Sequence, residues 1–320
     1  MPRTSASIRL SLLLLLWGPT STWALGLKVT LLGTGNPTPA IERFGPSILV
    51  EAGPEKLLFD CGRGVPIRLW QVHIPMRDVT AVFFTHLHSD HTVGFPDLWL
   101  TGWLPPPWGQ RIEPLHVYGP TGTRKMVQHL EEAYQADIRI RMADEKLPRS
   151  GVSIYAAEIV EGVVYEKSGV RVTAFNVDHG EFIKPAFGYR IDYGGRSVVL
   201  SGDTRVSENL IRFAQGTDVL FHEVAAAKAE NLSTSEAARR IIGHHTTPED
   251  AGRVFTRVKP QLAVDTHIAL LSTDLAISAP TVEDLVSLTR KTYSGPLEVG
   301  ADLLSIDVGE RVTVHRFAPP

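Results

Sequence analysis

Four side chains able to bind a metal fall within six positions of the stretch Thr85-His86-Leu87-His88-Ser89-Asp90-His91. Imidazole nitrogens and carboxylate oxygens are the ligands a zinc ion takes from protein. In an extended segment residues two apart point the same way, so His86 and His88 can address one ion. Asp90 and His91 follow a change of direction that Gly94 helps the chain to make, so they can address a second. Any one of them alone would read as a solvated loop histidine or a helix-capping aspartate. Four at this spacing read as a dinuclear metal site. Its chemistry would be hydrolytic: two cations share a water, lower its pKa toward about 7, and offset the charge that builds at the reacting centre.

The elements that must position these groups are legible as apolar runs. Residues 79–84 form a β-branched and aromatic run that predicts a buried strand, which places the ligands on the loop at its C-terminal end, where α/β folds keep their chemistry. The same plan recurs. A strand over 170–177 ends in Asp178-His179-Gly180, one over 196–200 in Ser201-Gly202-Asp203-Thr204, one over 219–222 at Glu223, and one over 262–264 in Asp265-Thr266-His267. Asp203 has two oxygens and can bridge two cations. Thr247 as N-cap, Pro248 at N1 and an acid at N3 start a helix just after His245.

Other segments read as framework. A strand over 28–32 leads into Gly33-Thr34-Gly35-Asn36-Pro37, which lacks the Gly-Lys-Ser/Thr of a nucleotide loop and reads as a tight turn bringing backbone near the site. A hairpin over 47–50 and 56–59 ends at Asp60-Cys61-Gly62, where Asp60 either caps the turn or orients a metal-bound histidine from behind. Helices are predicted over 121–136 and 281–291, and two short strands over 147–167. Trp99, Trp103 and Trp108, with Pro105-Pro106-Pro107 among them, suggest either a substrate wall or semi-rigid lid, or aromatic rings pinning a long loop.

Bulk properties bound the function. A chain of 320 residues, 43% hydrophobic and without a low-complexity linker, supports one large domain. Its net charge of −3, a pI near 6.5 and the lack of any Lys/Arg run give no field for a phosphate backbone, so nucleic acid is not the default partner. Arg3 and Arg9, the apolar stretch 10–17 and small residues to Ala24 have the order of a secretory signal, so residues 1–24 are expected to be a signal peptide and 25–320 the mature domain, periplasmic or secreted, with no stable membrane span after cleavage. Cys61 is the sole cysteine, which excludes an internal disulfide.

The ordered set His86, His88, Asp90, His91, His179, Asp203, His267 resembles the metallo-β-lactamase superfamily, over about residues 28–269. Leu32-Gly33-Thr34-Gly35, Phe59-Asp60-Cys61-Gly62, Ser201-Gly202-Asp203-Thr204, His222-Glu223 and His245-Thr246-Thr247 look most like its ribonuclease Z branch. The resemblance implies an α/β fold, an αββα sandwich of two mixed β-sheets flanked by helices, with two zinc ions at one edge. It implies one ion on His86, His88 and His179, the other on Asp90, His91 and His267, Asp203 shared, and a catalytic set of His245, Glu223 and Asp90 in which Glu223 orients His245 as general acid. On the residues alone, His245 could equally be a loop residue ahead of the Thr247 cap and Glu223 a buried strand-end acid. Five imidazoles and two carboxylates without thiolate suit zinc and also admit manganese or iron.

Two features depart from the tRNA-trimming members. Those members insert a protruding arm that grips tRNA between the counterparts of His179 and Asp203, and the interval here is short. The export signal would also separate the protein from tRNA precursors. Exported arylsulfatases and cyclic nucleotide phosphodiesterases of the branch fit both features. The sequence therefore leads us to expect an exported dinuclear zinc hydrolase that cleaves a small anionic ester, a phosphodiester or an aryl sulfate, through a metal-bridging hydroxide. The alternatives are a lactonase or carboxylic ester hydrolase, a ribonuclease Z-like endoribonuclease, and a non-enzymatic binding scaffold. Relatives of this kind are often homodimers, and no interface is legible in the sequence.

Overall fold

Residues 26–107 and 109–318 are described in a computed structural model; the expected signal peptide at 1–24 and Trp108 lie outside them. The strands, in chain order, are β1 (Leu27–Gly33), β2 (Ser47–Ala52), β3 (Glu55–Phe59), β4 (Ala81–Phe83), β5 (Leu115–Gly119), β6 (Ile154–Glu158), β7 (Gly162–Lys167), β8 (Val170–Asn176), β9 (Phe187–Tyr193), β10 (Arg196–Leu200), β11 (Val219–Ala227), β12 (Leu262–Leu271), β13 (Leu297–Val299), β14 (Ser305–Val308) and β15 (Val312–His315). They form an eight-stranded sheet ordered β15-β14-β1-β2-β3-β4-β5-β6 and a seven-stranded sheet ordered β13-β12-β11-β10-β9-β8-β7. Both sheets are mixed: β3 to β6 and β10 to β13 pair in parallel, and the remaining neighbours pair antiparallel.

The continuous apolar runs are explained by burial on both faces. In β3, Leu57 and Phe59 point into the space between the sheets while Leu58 points out beneath the helices; in β10, Val198 and Leu200 point inward and Val199 outward. β11 repeats this with Val219 and Phe221 inward and Leu220 outward. The outer face of the first sheet is covered by helices Val65–Gln71, Phe95–Trp103 and Thr123–Ala133, and that of the second by Glu208–Phe213 and Pro248–Val258. This is the αββα sandwich. Each fully buried large apolar side chain contributes about 1.5–3 kcal/mol, so the three layers of core carry the fold without a covalent crosslink.

The structure decides between the two readings of the tryptophans, and one helix and one strand differ from the sequence expectation. Trp99 and Trp103 are 0% and 1% exposed, inside the core between helix and first sheet, with their indole N–H groups donating to the carbonyls of Val152 at 2.8 Å and Pro148 at 2.9 Å. The buried guanidinium of Arg111 donates to the Gly151 and Trp99 carbonyls behind them. These two rings, carried on the helix Phe95–Trp103 and not on a long loop, therefore pin the 148–152 segment, and neither a substrate wall nor a lid is built from them: so much apolar area is worth more in a core than at a wet cleft. The helix expected over 121–136 is interrupted at Tyr134 and followed by a second, Gln135–Asp144. β12 runs seven residues beyond the expected strand end, so His267 lies inside it. None of the described helices is long and apolar enough to cross a membrane.

Candidate metal centre

β4 delivers Phe84 and Thr85 to the edge of the sandwich, and His86 to His88 continue extended before a single helical turn, Ser89–Thr92, carries Asp90 and His91. That turn is clamped onto the end of β3. Cys61 N–H donates to the His91 carbonyl at 2.7 Å, and Gly94 N–H to the Cys61 carbonyl at 2.9 Å. The approach is so close that a Cβ on Gly94 would lie 2.0 Å from the Gly62 carbonyl oxygen.

Asp60 sits behind this turn and orients it. Its carboxylate accepts from the His91 Nδ1–H at 2.7 Å, from the Thr85 backbone N–H at 2.8 Å and from the Thr85 hydroxyl at 2.9 Å. With its proton committed to Asp60, the Thr85 oxygen accepts from His86 Nδ1 at 3.0 Å. Both imidazoles are thereby left with Nε2 facing forward, the tautomer following from the network. His179, just past β8, is fixed by its Nδ1–H donating to the His244 carbonyl at 2.9 Å. Of the two roles the sequence left open for Asp60, orienting a histidine is the one the geometry shows.

The seven residues converge. Asp203 Oδ2 lies 3.9 Å from His86 Nε2, 3.3 Å from His91 Nε2, 3.7 Å from His179 Nε2 and 3.3 Å from His267 Nε2. His86 Nε2 and His88 Nδ1 are 2.9 Å apart, and Asp90 Oδ2 is 3.6 Å from His91 Nε2 and 3.4 Å from His267 Nε2. Ligands about 2.0–2.2 Å from a shared ion necessarily lie about 3–4 Å from one another. His86, His88 and His179 form one group that could hold a metal, and Asp90, His91 and His267 another. Nε2 of His91, Nε2 of His179 and Oδ1 of Asp203 are buried without hydrogen-bond partners, a cost that a bound cation would remove. The residues thus fit a metal.

Electrostatics agree with that fit at His86, His88, His179 and Asp203, while His91 holds its proton until a cation displaces it. Burial pushes His86 well below the ordinary imidazole value, His88 below it and His179 down to about 4, so their lone pairs are free at neutral pH. Burial would also raise the carboxyl of Asp203, but the imidazoles of His267 and His91 outweigh it and hold Asp203 well below the usual carboxylate range. His91 is opposed by burial yet raised well above its ordinary value by the carboxylates of Asp203 and Asp60.

Glu223, fully buried on β11, ties the remaining pieces together. Its Oε1 accepts from the backbone N–H groups of Thr204 at 3.1 Å and Thr246 at 3.0 Å and from His245 Nδ1 at 3.1 Å. The loops carrying Asp203 and His245 are thus set by one carboxylate. Burial lowers the His245 pKa, but the charge and hydrogen bond of Glu223 prevail and push it up to about 9. With Nδ1 engaged, Nε2 is the atom left to the cleft beside the cage. This cleft of about 230 Å³ is lined by His88, Asp90, Asp203, His245 and His267 together with Asn36, Pro37, Thr38, Ile241, His244, Ala269 and Leu271. Sequence reasoning missed His244, although the doublet His244-His245 was its visible signal. The glycine loop comes to the site as the sequence leads one to expect, held there by Asn36 Nδ2 donating to the Ile268 carbonyl at 2.8 Å.

A sandwich of two mixed sheets with a His/Asp cage on the loops at one edge defines a class of metal-dependent hydrolases. Residues 48–268 match the family described as a beta-lactamase superfamily domain. The ribonuclease Z of Mycobacterium bovis (strain BCG / Pasteur 1173P2) is 34% identical over 285 residues, 89% of this chain and 99% of its own length. Among solved structures, the metallo-beta-lactamase fold protein YhfI from Bacillus subtilis superposes with a TM-score of 0.68 at 20% identity, over 88% of this chain and 99% of that one. Human tRNase Z, short form, does so with a TM-score of 0.65 at 22% identity, over 88% and 99%. The chain belongs to the metallo-β-lactamase superfamily, in its ribonuclease Z-like branch.

Proposed function

We propose that the protein is a phosphodiesterase that takes two zinc ions, one on His86, His88 and His179 and one on Asp90, His91 and His267, with Asp203 between them. The observation that carries this reading is the position of Asp203 Oδ2, within 3.3–3.9 Å of imidazoles from both triads. Bound there, the ions supply Lewis acidity toward phosphoryl oxygens and acidify water. His245 Nε2–H donates its proton to the leaving oxygen as the ester P–O bond breaks, and Glu223 holds the ring in place and keeps it protonated. Asp90 accepts a hydrogen bond from the attacking water. A phosphodiester is preferred to a sulfate or acyl ester because relatives 32% and 34% identical over 90% and 89% of this chain are named for cleaving RNA, itself a phosphodiester.

A second reading, cleavage of tRNA precursors, is favoured by the same names. Against it stands the connection from His179 to Asp203, which consists of a short loop and the β9–β10 hairpin closed at Gly194-Gly195. One panel tests both: zinc-loaded protein with bis(4-nitrophenyl) phosphate, 4-nitrophenyl sulfate, 4-nitrophenyl acetate, a lactone and a 3′-extended tRNA. Turnover of the phosphodiester with about two zinc ions per chain is expected. Turnover of only the sulfate, acetate or lactone would overturn the proposal, and efficient trimming of the tRNA would shift it to the second reading. Export is likewise a proposal resting on residues 1–24, checked by N-terminal sequencing of protein recovered outside the cytoplasm.

A further inference from the structure

The cage forms one side of the cleft, and the other, apart from Asn36, Thr38 and His244, is apolar. β12 does not stop at its metal-site histidine: His267, Ala269 and Leu271 share one face of the strand and all line the cleft, while Ile268 and Leu270 point the other way into a small core with Val224 and Leu285. From His267 to Leu271 the strand advances about 13 Å. Ile241, near the end of helix Glu236–Ile242, and Pro37, the last residue of the glycine loop, complete the wall. Leu275, four residues past Leu271, is fully exposed, and Phe182, three residues past His179, is 93% exposed, so the loops leaving the cage on both sides carry bare apolar side chains. Among the described residues no lysine or arginine lines the cleft. A channel for a nucleic-acid strand combines cationic side chains along the backbone with aromatic platforms for the bases, and neither lines this cleft.

We propose that the substrate is amphiphilic: an ester whose polar reacting group sits at the cage and whose apolar substituent, an alkyl chain of several carbons, lies along Ala269, Leu271 and Ile241. This rests on the hydrolase reading and specifies the substrate that the same site would take. The bond broken is the ester bond already described, and the apolar group contributes binding alone. Each methylene moved from water to such a wall is worth about a three- to fourfold gain in affinity.

The test is calorimetric titration of the zinc-loaded full chain with methyl-, butyl- and octylphosphonate, in the wild type and in the Leu271→Ser and Ile241→Ser variants. Both positions are only partly buried, so the variants should fold. Affinity is expected to rise at least tenfold from methyl to butyl and further to octyl, and the ratio of octyl to methyl is expected to fall at least tenfold in each variant. Equal affinity for the three ligands, binding of none of them, or a ratio that survives both substitutions would overturn the inference. Turnover of bis(4-nitrophenyl) phosphate with a flat phosphonate series would overturn this inference and leave the phosphodiesterase reading standing. A steep phosphonate series in a protein inert toward every phosphodiester would do the reverse.

Discussion

One carboxylate, that of Glu223, sets the position of His245 and of the Asp203 loop together, which makes His245 the residue whose removal is most informative. The His245→Ala variant loses only its own ring, leaving the Thr204 and Thr246 N–H groups on Glu223. Proton donation to a leaving group is worth about 10²–10⁴-fold. We expect that loss with alkyl or nucleoside leaving groups and less than about tenfold with 4-nitrophenol, which departs without a proton; equal losses on both would remove the acid role. Asp60 acts through His91 and Thr85, and Asp60→Asn should weaken zinc affinity by about 10–100-fold, measured by competition with a chromogenic chelator, with secondary structure unchanged. At this scale much of the site was legible. His86, His88, Asp90 and His91 announce themselves by adjacency, and His179, Asp203 and His267 by following apolar runs. His244 was passed over although the doublet with His245 stands in the sequence, and its place on the cleft wall is fixed by its carbonyl receiving His179.

Elements bring these residues within reach, and the closest tolerances lie where two of them touch. The turn bearing Asp90 and His91 presses on the end of β3 through Gly94 and Gly62, with no room for a methyl group between them. Gly94→Ala must push these segments apart, so a loss of about 1–3 kcal/mol in stability is expected together with a fall in bound zinc, read by thermal unfolding and metal analysis on one sample. Unchanged zinc content would show that the turn tolerates the shift. The start of the helix Pro248–Val258 was legible to the residue, since Thr247 accepts from the Asp250 N–H as the N-cap pattern requires. β12 was not. Asp265-Thr266-His267 has the polarity of a strand end, yet the strand continues past it with a shift of register between β11 and β12 at Glu223 and Val224, and His267 adopts a φ of 43°. A register shift leaves no mark in composition, so the apolar cleft wall that follows from it was invisible in the sequence. The tryptophans differ in kind: their composition was conspicuous and left two readings open, and the structural one holds because packing decides which side of a helix faces the core.

Across the whole molecule the two sheets are held by the apolar layer between them and, at the edge of that layer, by one polar link whose pH dependence can be read. Glu55 on β3 of the first sheet is 2% exposed and accepts from the Tyr165 hydroxyl at 2.6 Å on β7 of the second, from Ser168 Oγ at 2.8 Å and from Lys167 Nζ at 3.2 Å. Burial alone would raise its pKa, but the hydrogen bonds from Tyr165, Ser168 and Lys167 outweigh it and hold Glu55 below its ordinary value. A carboxyl whose folded pKa is depressed binds its proton more readily in the unfolded chain, so its stabilisation is complete above the unfolded value near 4.5 and is lost as pH falls through the folded one. Glu55→Gln keeps the shape and removes the charge. Hydrogen bonds to a charged group are worth about 1.5–3 kcal/mol, so the variant should be less stable by about that much at pH 7, and the gap should close progressively below pH 4.5. Urea unfolding of both proteins at pH 7 and pH 4, in chelator to keep the metal site out of the comparison, measures this. A gap of the same size at both pH values would mean that the charge of Glu55 does not join the sheets.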